Sequence, residues 1–259
     1  MLYQIDAFAD RVFSGNPAAV CPVEHWPEES LMQQIAAENN LAETAFVLKA
    51  GNHYEIRWFT PEMEVALCGH ATLASAYVLF QHYEKEARLI SFFSPKSGLL
   101  SVEKAENGYL TLDFPADPPS EVVPLKTLEE ALGMSPVKTL KGKTDYLLIY
   151  KNQQEIENIS PDFFLLNKVE ARGVIVSAKG EAVDFVSRFF APKVGINEDP
   201  VTGSAHTTLI PYWSEVLNKK QLSARQLSKR GGSLHCEALG QRVKIGGSAV
   251  PYLLGEIVV

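Results

Sequence analysis

The sequence predicts an α+β protein. Three observations carry that expectation. Strand patterns outnumber helical ones, few helical segments stand between strands as crossovers, and a proline-rich stretch, 115-PADPPSEVVP-124, separates two strand-rich halves. Proline interrupts helices and central strands alike, so this stretch reads as a linker. It sets the expected lobes at 1–117 and 118–259, with a terminal strand near 250–259 packing back onto the first lobe.

In the first half, β-branched and aromatic runs predict strands near 2–8, 18–22, 43–49 and 54–60. A helix is expected over 27–38. Pro27 suits its first position, Glu28 and Glu29 favour the positive end of its dipole, Leu31 and Ile35 share a face, and Asn39-Asn40 ends it. A second helix is expected over 70–82. The segment 98–115 reads as a hairpin about Asn107-Gly108, a pair suited to a type I′ turn.

In the second half a short helix near 125–132 stops at Gly133. Strands are expected near 145–150, 172–178 and 183–191, with a helix near 160–167. A further helix starts near 204, and Pro211 is expected to kink or shorten it. Strands near 225–229, 233–238, 241–246 and 252–258 close the chain.

Composition narrows the function classes. The chain has 259 residues, 46% hydrophobic and 21% charged, and a net charge of -7 with a pI near 5.5. An acidic surface does not suit general nucleic-acid binding, which relies on cations to displace counterions. The start, MLYQIDAFADRVFSG, places acids where a signal peptide needs positive charge, and no run approaches the roughly 20 apolar residues of a membrane helix. The expectation is a cytoplasmic protein without membrane partners. Three scattered cysteines (Cys21, Cys68, Cys236) and no HExxH or CxxC spacing predict neither a disulfide framework nor a metal site. No G-x-S-x-G elbow and no G-x-G-x-x-G following a strand are present, which disfavours a hydrolase or a dinucleotide enzyme.

An internal repeat locates the chemistry. The segments 57-RWFTPEMEVALCGHATL-73 and 188-RFFAPKVGINEDPVTGSAHTTL-209 both begin Arg, aromatic, Phe, small, Pro. Both end in a glycine that opens a helix. Glycine lets a ligand approach unpaired helix N–H groups, so Gly69-His70 and Gly203-Ser204 are candidate carboxylate cradles. The same glycines also serve plain helix–strand packing. His70 reads as a cap contact or a proton donor, and Ser204 as an N-cap that also contacts ligand. Asp199 reads as a solvated loop acid or as a group orienting His70 or a substrate amine. His206 reads as a packing or surface residue. Glu43, among Leu41, Ala42, Ala45 and Phe46, reads as an ordinary strand-entrance acid or as a desolvated general base.

The pieces 15-GNPAAVC-21, 39-NNLAETAFV-47, 57-RWFTPEMEVALCGHAT-72 and 198-EDPVTGSAH-206 resemble the PhzF (phenazine-biosynthesis-like) isomerase family. They span most of the chain in the family's order. The resemblance implies a diaminopimelate-epimerase-like fold of two pseudo-symmetric lobes, each a curved mixed sheet wrapped around a central helix, with the active site in the cleft between them. It implies Glu43 as general acid/base, with His70 and Asp199 as further catalytic groups and Gly69, Gly203 and Ser204 as substrate-binding positions. It implies a proton shift without metal or cofactor on a small anionic metabolite. The family's named member isomerises trans-2,3-dihydro-3-hydroxyanthranilate. Relatives often dimerise, though nothing in the sequence marks an interface. Two other readings stay open. A two-thiol epimerase would need a second cysteine to match Cys68, which the loop 198–205 lacks, so Cys68 reads as a small apolar residue. A non-catalytic binding protein would have no need of Glu43, His70 and Asp199 together.

Overall fold

The computed structural model describes residues 1–259. The chain begins β1 (Leu2–Ala7), β2 (Asn16–Val23), α1 (Glu29–Asn39), β3 (Glu43–Ala50), β4 (His53–Phe59), β5 (Glu64–Val65), α2 (Gly69–His82), β6 (Leu89–Ser94), β7 (Gly98–Lys104) and β8 (Leu110–Pro115). It continues β9 (Ser120–Glu121), α3 (Lys126–Leu132), β10 (Lys138–Lys141), β11 (Asp145–Ile149), α4 (Gln153–Asn158), α5 (Phe163–Leu166), β12 (Gly173–Lys179) and β13 (Phe185–Phe190). It ends α6 (Gly203–Leu217), β14 (Gln221–Gln226), β15 (Gly232–Leu239), β16 (Arg242–Gly247) and β17 (Ala249–Gly255). Two compact units divide it: Met1–Asp113 with Ile245–Val259, and Phe114–Lys244. The division falls at Asp113/Phe114, and the C-terminal segment joins the first unit because β17 pairs antiparallel with β1.

Both units follow one pairing rule. In the first, β1–β2 is antiparallel, β2–β3 parallel, β3–β4 antiparallel, β4–β6 parallel and β6–β7 antiparallel. In the second, β10–β11, β11–β12, β12–β13, β13–β14 and β14–β15 repeat that alternation. A parallel pair needs a crossover, and helices supply each one: α1 and α2 in the first unit, α4 with α5 and then α6 in the second. The repeated sequence segments therefore fall on equivalent elements, β4 to α2 and β13 to α6.

Helix α2 is the centre of the first unit. It is buried from His70 to Ala76 and again from Val78 to Phe80, and it packs against β1, β2, β3, β6, β7 and β17. A helix apolar on every side belongs in a core. Its small residues Ala71, Ala74, Ser75 and Ala76 let strands approach closely, and Ser75 satisfies its own hydroxyl on the Ala71 carbonyl at 2.7 Å. Helix α6 has the corresponding place in the second unit, against β11, β14 and β15. There Trp213 stacks on Phe185, with centroids 5.9 Å apart and planes 4° from parallel, and donates its Nε1–H to Ser177 Oγ at 2.9 Å.

Several local expectations are corrected. Helix α1 starts at Glu29 with Glu28 as its cap residue, so Pro27 lies before the helix. The hairpin β7–β8 does not close by a type I′ turn, which needs positive φ at both central residues. Asn107 has ordinary backbone geometry, and Gly108 alone is left-handed, with φ 84°. The Gly108 amide bonds the Ala105 carbonyl at 2.9 Å, giving a tight turn followed by a left-handed glycine. The linker contains a two-residue strand, β9, paired with β10. The helix near 160–167 is only Phe163–Leu166, started by the Asp162 carboxylate accepting from the Leu165 amide. Strands β6 and β10 and helix α4 were not anticipated.

Pro211 neither breaks nor shortens α6, which runs unbroken for 15 residues. Proline lacks the N–H that would bond the Thr207 carbonyl four residues earlier. The Asp117 amide takes that carbonyl instead, at 3.0 Å, and the Asp117 carboxylate accepts from Thr208 Oγ1 at 3.1 Å. The acceptor left vacant by proline is thus satisfied by the incoming chain.

Candidate active site

The first unit gathers Asn16, Glu43, Cys68 and His70. Helix α1 ends at Asn40 in a left-handed conformation, φ 49°, and Asn39 Nδ2 donates to Thr44 Oγ1 at 3.1 Å. That tie fixes where β3 begins, and Glu43 is its first residue. Parallel pairing sets Glu43 opposite Ala18, two residues into β2 from Asn16. The start of α2 supplies Cys68 as cap residue and His70 on the first turn.

All four side chains are buried. Glu43 Oε2 lies 3.1 Å from His70 Nε2, but this carboxylate oxygen accepts no well-aligned hydrogen bond. His70 Nδ1 is 3.2 Å from Asn16 Nδ2 and 3.5 Å from Cys68 Sγ. Burial pushes the Cys68 thiol up to about 11, and the Glu43 charge adds to that, so it is a neutral thiol near pH 7. Burial pulls His70 down, but its sulfur and carboxylate neighbours outweigh burial and hold it well above its ordinary 6.5. Cys68 is the larger of the two raising neighbours and Glu43 the second. A buried imidazole beside a buried carboxylate can exchange a proton with it. Three atoms here, one each from Glu43, Cys68 and His70, lie within 4.8 Å of one another and could hold a cation.

Gly15 controls the approach to Asn16. Its φ is +66°, and a Cβ there would lie 2.2 Å from the Ala7 carbonyl oxygen. Gly15→Ala is therefore expected to cost at least about 1–3 kcal/mol from backbone strain alone. A lowered melting temperature with a disturbed His70 resonance would register it, and an unchanged melt would contradict it.

Asp199, Gly203 and Ser204 lie in the second unit. Asp199 is buried, not a solvated loop acid, and accepts from Thr202 Oγ1. Gln226, at the end of β14, clamps the turn: its Nε2 donates to the Asp199 carbonyl at 2.8 Å and its Oε1 accepts from the Thr202 amide at 2.9 Å. Ser204 is not the N-cap of α6. Thr202 holds that place, Gly203 is the first helical residue and Ser204 the second. Gly69 and His70 occupy the same two positions of α2. Ser204 Oγ accepts from Arg172 Nη1 at 3.0 Å, and Arg172 also forks onto the buried Asp145. The thiol at the α2 cap is matched by a threonine hydroxyl at the α6 cap.

The repeat has a matched ion pair in each unit. Arg57 grips Glu64 through Nε at 2.7 Å and Nη2 at 3.0 Å, over the Phe59 ring. Arg188 grips Glu198 through Nε at 2.7 Å and Nη2 at 3.1 Å, over the Phe190 ring. Each arginine ties its strand to the loop leading to the glycine helix, a role sequence inspection did not assign.

His206 is buried and its Nδ1–H donates to the Thr202 carbonyl at 2.8 Å. Burial lowers it to about 4, against an ordinary 6.5. The unfolded chain therefore takes up a proton first. The stabilisation is complete above about pH 6.5, is lost as pH falls towards 4, and is flat below, a span of about 3 kcal/mol. His206→Asn should flatten the melting temperature between those pH values; an equally steep acid loss would refute the assignment.

Of the groups that sequence reasoning missed, Asn16 stood inside 15-GNPAAVC-21 with no role attached, whereas Gln226 and Arg172 carried no motif.

The mixed-sheet α+β fold is one that PhzF-family and racemase structures share. A probable proline racemase from Agrobacterium radiobacter shares the fold at TM-score 0.65 and 9% identity, covering 100% of this chain and 92% of that one. The family described as "Phenazine biosynthesis-like protein" matches residues 5–255, and the chain belongs to it. A Pseudomonas aeruginosa protein named an uncharacterized isomerase is 53% identical, over 98% of this chain and 97% of its own. A PhzF-family crystal structure from Enterococcus faecalis is 50% identical at TM-score 0.96, covering 100% of this chain and 98% of that one. The protein is an isomerase by this kinship. No helix is long and apolar enough to cross a membrane.

Proposed function

We propose that the protein catalyses a cofactor-independent proton shift on a small carboxylate-bearing metabolite, with Glu43 as the shuttling base. The observation that carries this is the buried Glu43 Oε2, free of any aligned hydrogen bond and 3.1 Å from His70 Nε2. A carboxylate whose near neighbour is an imidazole can pass a proton between that ring and a substrate C–H. Glu43 removes a proton from carbon beside an activated double bond, and the electron pair moves into the conjugated system as an enolate-like anion. The double bond relocates when a proton returns to a different carbon, from Glu43 or from His70. No electron leaves or enters, so the balance needs no redox partner. His70 in its charged form stabilises the developing anion.

Gly203 and Ser204, with the first amides of α6, are suited to the substrate carboxylate, and Asp199 to a substrate amine or hydroxyl. Gly69 exposes the first amides of α2 in the same manner. Asn16 holds the His70 ring from its far nitrogen.

The experiment follows solvent deuterium into trans-2,3-dihydro-3-hydroxyanthranilate and then into a panel of small unsaturated carboxylates, with wild type and Glu43→Gln in parallel. Incorporation at one carbon that depends on Glu43 is the expected result. Incorporation equal in both proteins would overturn the role of the base.

A further inference from the structure

We infer that the Asp145–Arg172 pair sets the direction of the Ser204 hydroxyl. Arg172 is thereby a positioning residue that makes this point select a hydrogen-bond acceptor, a carboxylate oxygen, over an amine. That Ser204 meets the ligand rests on the function proposed above, whereas the hold of Arg172 on Ser204 stands on the geometry of the second unit.

The two units carry corresponding polar trios. By pairing order β11, β12 and α6 are the counterparts of β2, β3 and α2. Asn16 and Asp145 each open the first strand of their unit's parallel pair, and both are buried. Glu43 begins β3, and Arg172 stands immediately before β12. His70 and Ser204 are each the second residue of the central helix. In the first unit Asn16 engages His70 Nδ1, and Nε2 faces Glu43. In the second unit the two strand-side groups pair with each other, and Arg172 extends the pair to Ser204 Oγ.

Arg172 is held in one orientation. Its Nε donates to Asp145 Oδ1 at 2.9 Å and its Nη2 to Asp145 Oδ2, while the guanidinium lies over the Phe189 ring, 5.4 Å from its centre. The Asp145 side chain is 3% exposed, so water competes little for this fork. Nη1 then reaches Ser204 Oγ at 3.0 Å. A serine oxygen has one hydrogen to give and lone pairs to receive with. A guanidinium N–H on the lone-pair side turns the hydroxyl hydrogen away from Arg172. A serine inside a helix often donates to the carbonyl four residues back. Here that carbonyl, of Pro200, is engaged by Ser228 Oγ at 2.8 Å, and Ser204 Oγ donates to no group of the chain.

The hydroxyl hydrogen is therefore left for a bound group. The first amides of α6 are donors as well. A carboxylate can accept from all of them. An ammonium, with only hydrogens to give, finds a single remaining lone pair on Ser204 Oγ. Asp145 balances the charge of Arg172, so the preference comes from where hydrogens point and not from a net positive patch.

The test uses the full chain with benzoate as the probe and benzylamine, protonated at pH 7, as its cationic counterpart. Binding is read from the Gly203 and Ser204 amide resonances. Arg172→Gln with Asp145→Asn removes the pair without changing net charge or stranding a buried carboxylate. It should weaken benzoate by about 3–10-fold, the worth of one oriented hydrogen bond, and narrow the gap to benzylamine. Ser204→Ala should lose as much, and all three substitutions together should lose no more than either alone. Losses that multiply would show Arg172 acting on the ligand or the fold directly, and the positioning role would fall. Arg172→Lys keeps the charge but not the planar reach, so it should bind like the paired variant. Wild-type binding by the lysine variant overturns the inference. So does a wild-type protein that prefers benzylamine, or whose two resonances benzoate leaves unmoved. None of these arms reads turnover. A protein that binds benzoate as described, yet shifts no proton in the deuterium screen, keeps this inference and loses the proton-shift reading.

Discussion

Glu43→Gln is expected to cut turnover by about 10²–10⁴-fold while changing substrate affinity by less than about tenfold. Glutamine fills nearly the same volume, so the buried position keeps its packing, but it has no basic oxygen to take a proton from carbon. The effect belongs in kcat, because the lost interaction exists only while the proton moves. The variant has a second signature. Cys68 and, after it, Glu43 raise the proton affinity of His70 against burial, so without the Glu43 charge the imidazole should titrate lower. The stability linked to His70 has a fixed sign. A raised folded value stabilises fully below about 6.5 and loses that contribution as pH rises through the folded value. Wild type should therefore lose His70-linked stability on the alkaline side, and Glu43→Gln should lose less of it. NMR titration of the His70 ring together with melts across pH reads both. A variant with normal turnover, or with His70 titrating as in wild type, would remove Glu43 from the centre of the chemistry.

The largest expected loss of stability belongs to Arg188→Met. The guanidinium forks onto Glu198 and also donates through Nη1 to the carbonyls of Ile156 at 3.1 Å and Ile159 at 2.7 Å. Methionine replaces the stem but none of these donors, leaving a largely buried carboxylate and two carbonyls without partners. Breaking a buried pair in this one-sided way costs about 3–5 kcal/mol. For a chain of this size each kcal/mol moves the melting point by about 2–4 °C, so a drop of about 6–20 °C is expected. The double variant Arg188→Met with Glu198→Leu should recover part of the loss, since the stranded charge goes with it. A single variant melting within a degree or two of wild type would mean that the fork contributes little to holding the loop before α6.

Much of this molecule is legible from its residues, and the exceptions have physical causes. The two glycine-opened helices were readable because the Arg-aromatic-Phe segment recurs before each, and the pairing order of both units repeats around them. Glu43 was readable as a candidate because its apolar neighbours imply desolvation. Strand β6 could have been read, since Leu89–Ser94 buries every second residue. Helix α4 also left a signal in Asn152 and Glu155, whose side chains hold its first turn at 2.9 Å each. Other features depend on contacts between distant segments and leave no local trace. Gln226 clamps a turn more than twenty residues away, and the Asn16 contact with His70 spans 54 positions. Pro211 does not shorten α6 because proline propensity describes an isolated helix, whereas here the Asp117 amide takes the vacated Thr207 carbonyl from outside.

That substitution at Pro211 has a practical reach. The segment entering the second unit is stitched into the middle turn of the very helix whose first residue is Gly203, so lengthening the chain at Asp117 would tug on the amides offered at the helix mouth. Val123, 84% exposed, carries no such stitch. Anyone wishing to splice a reporter or affinity handle into this stretch has a forgiving place at Val123 and an unforgiving one six residues earlier.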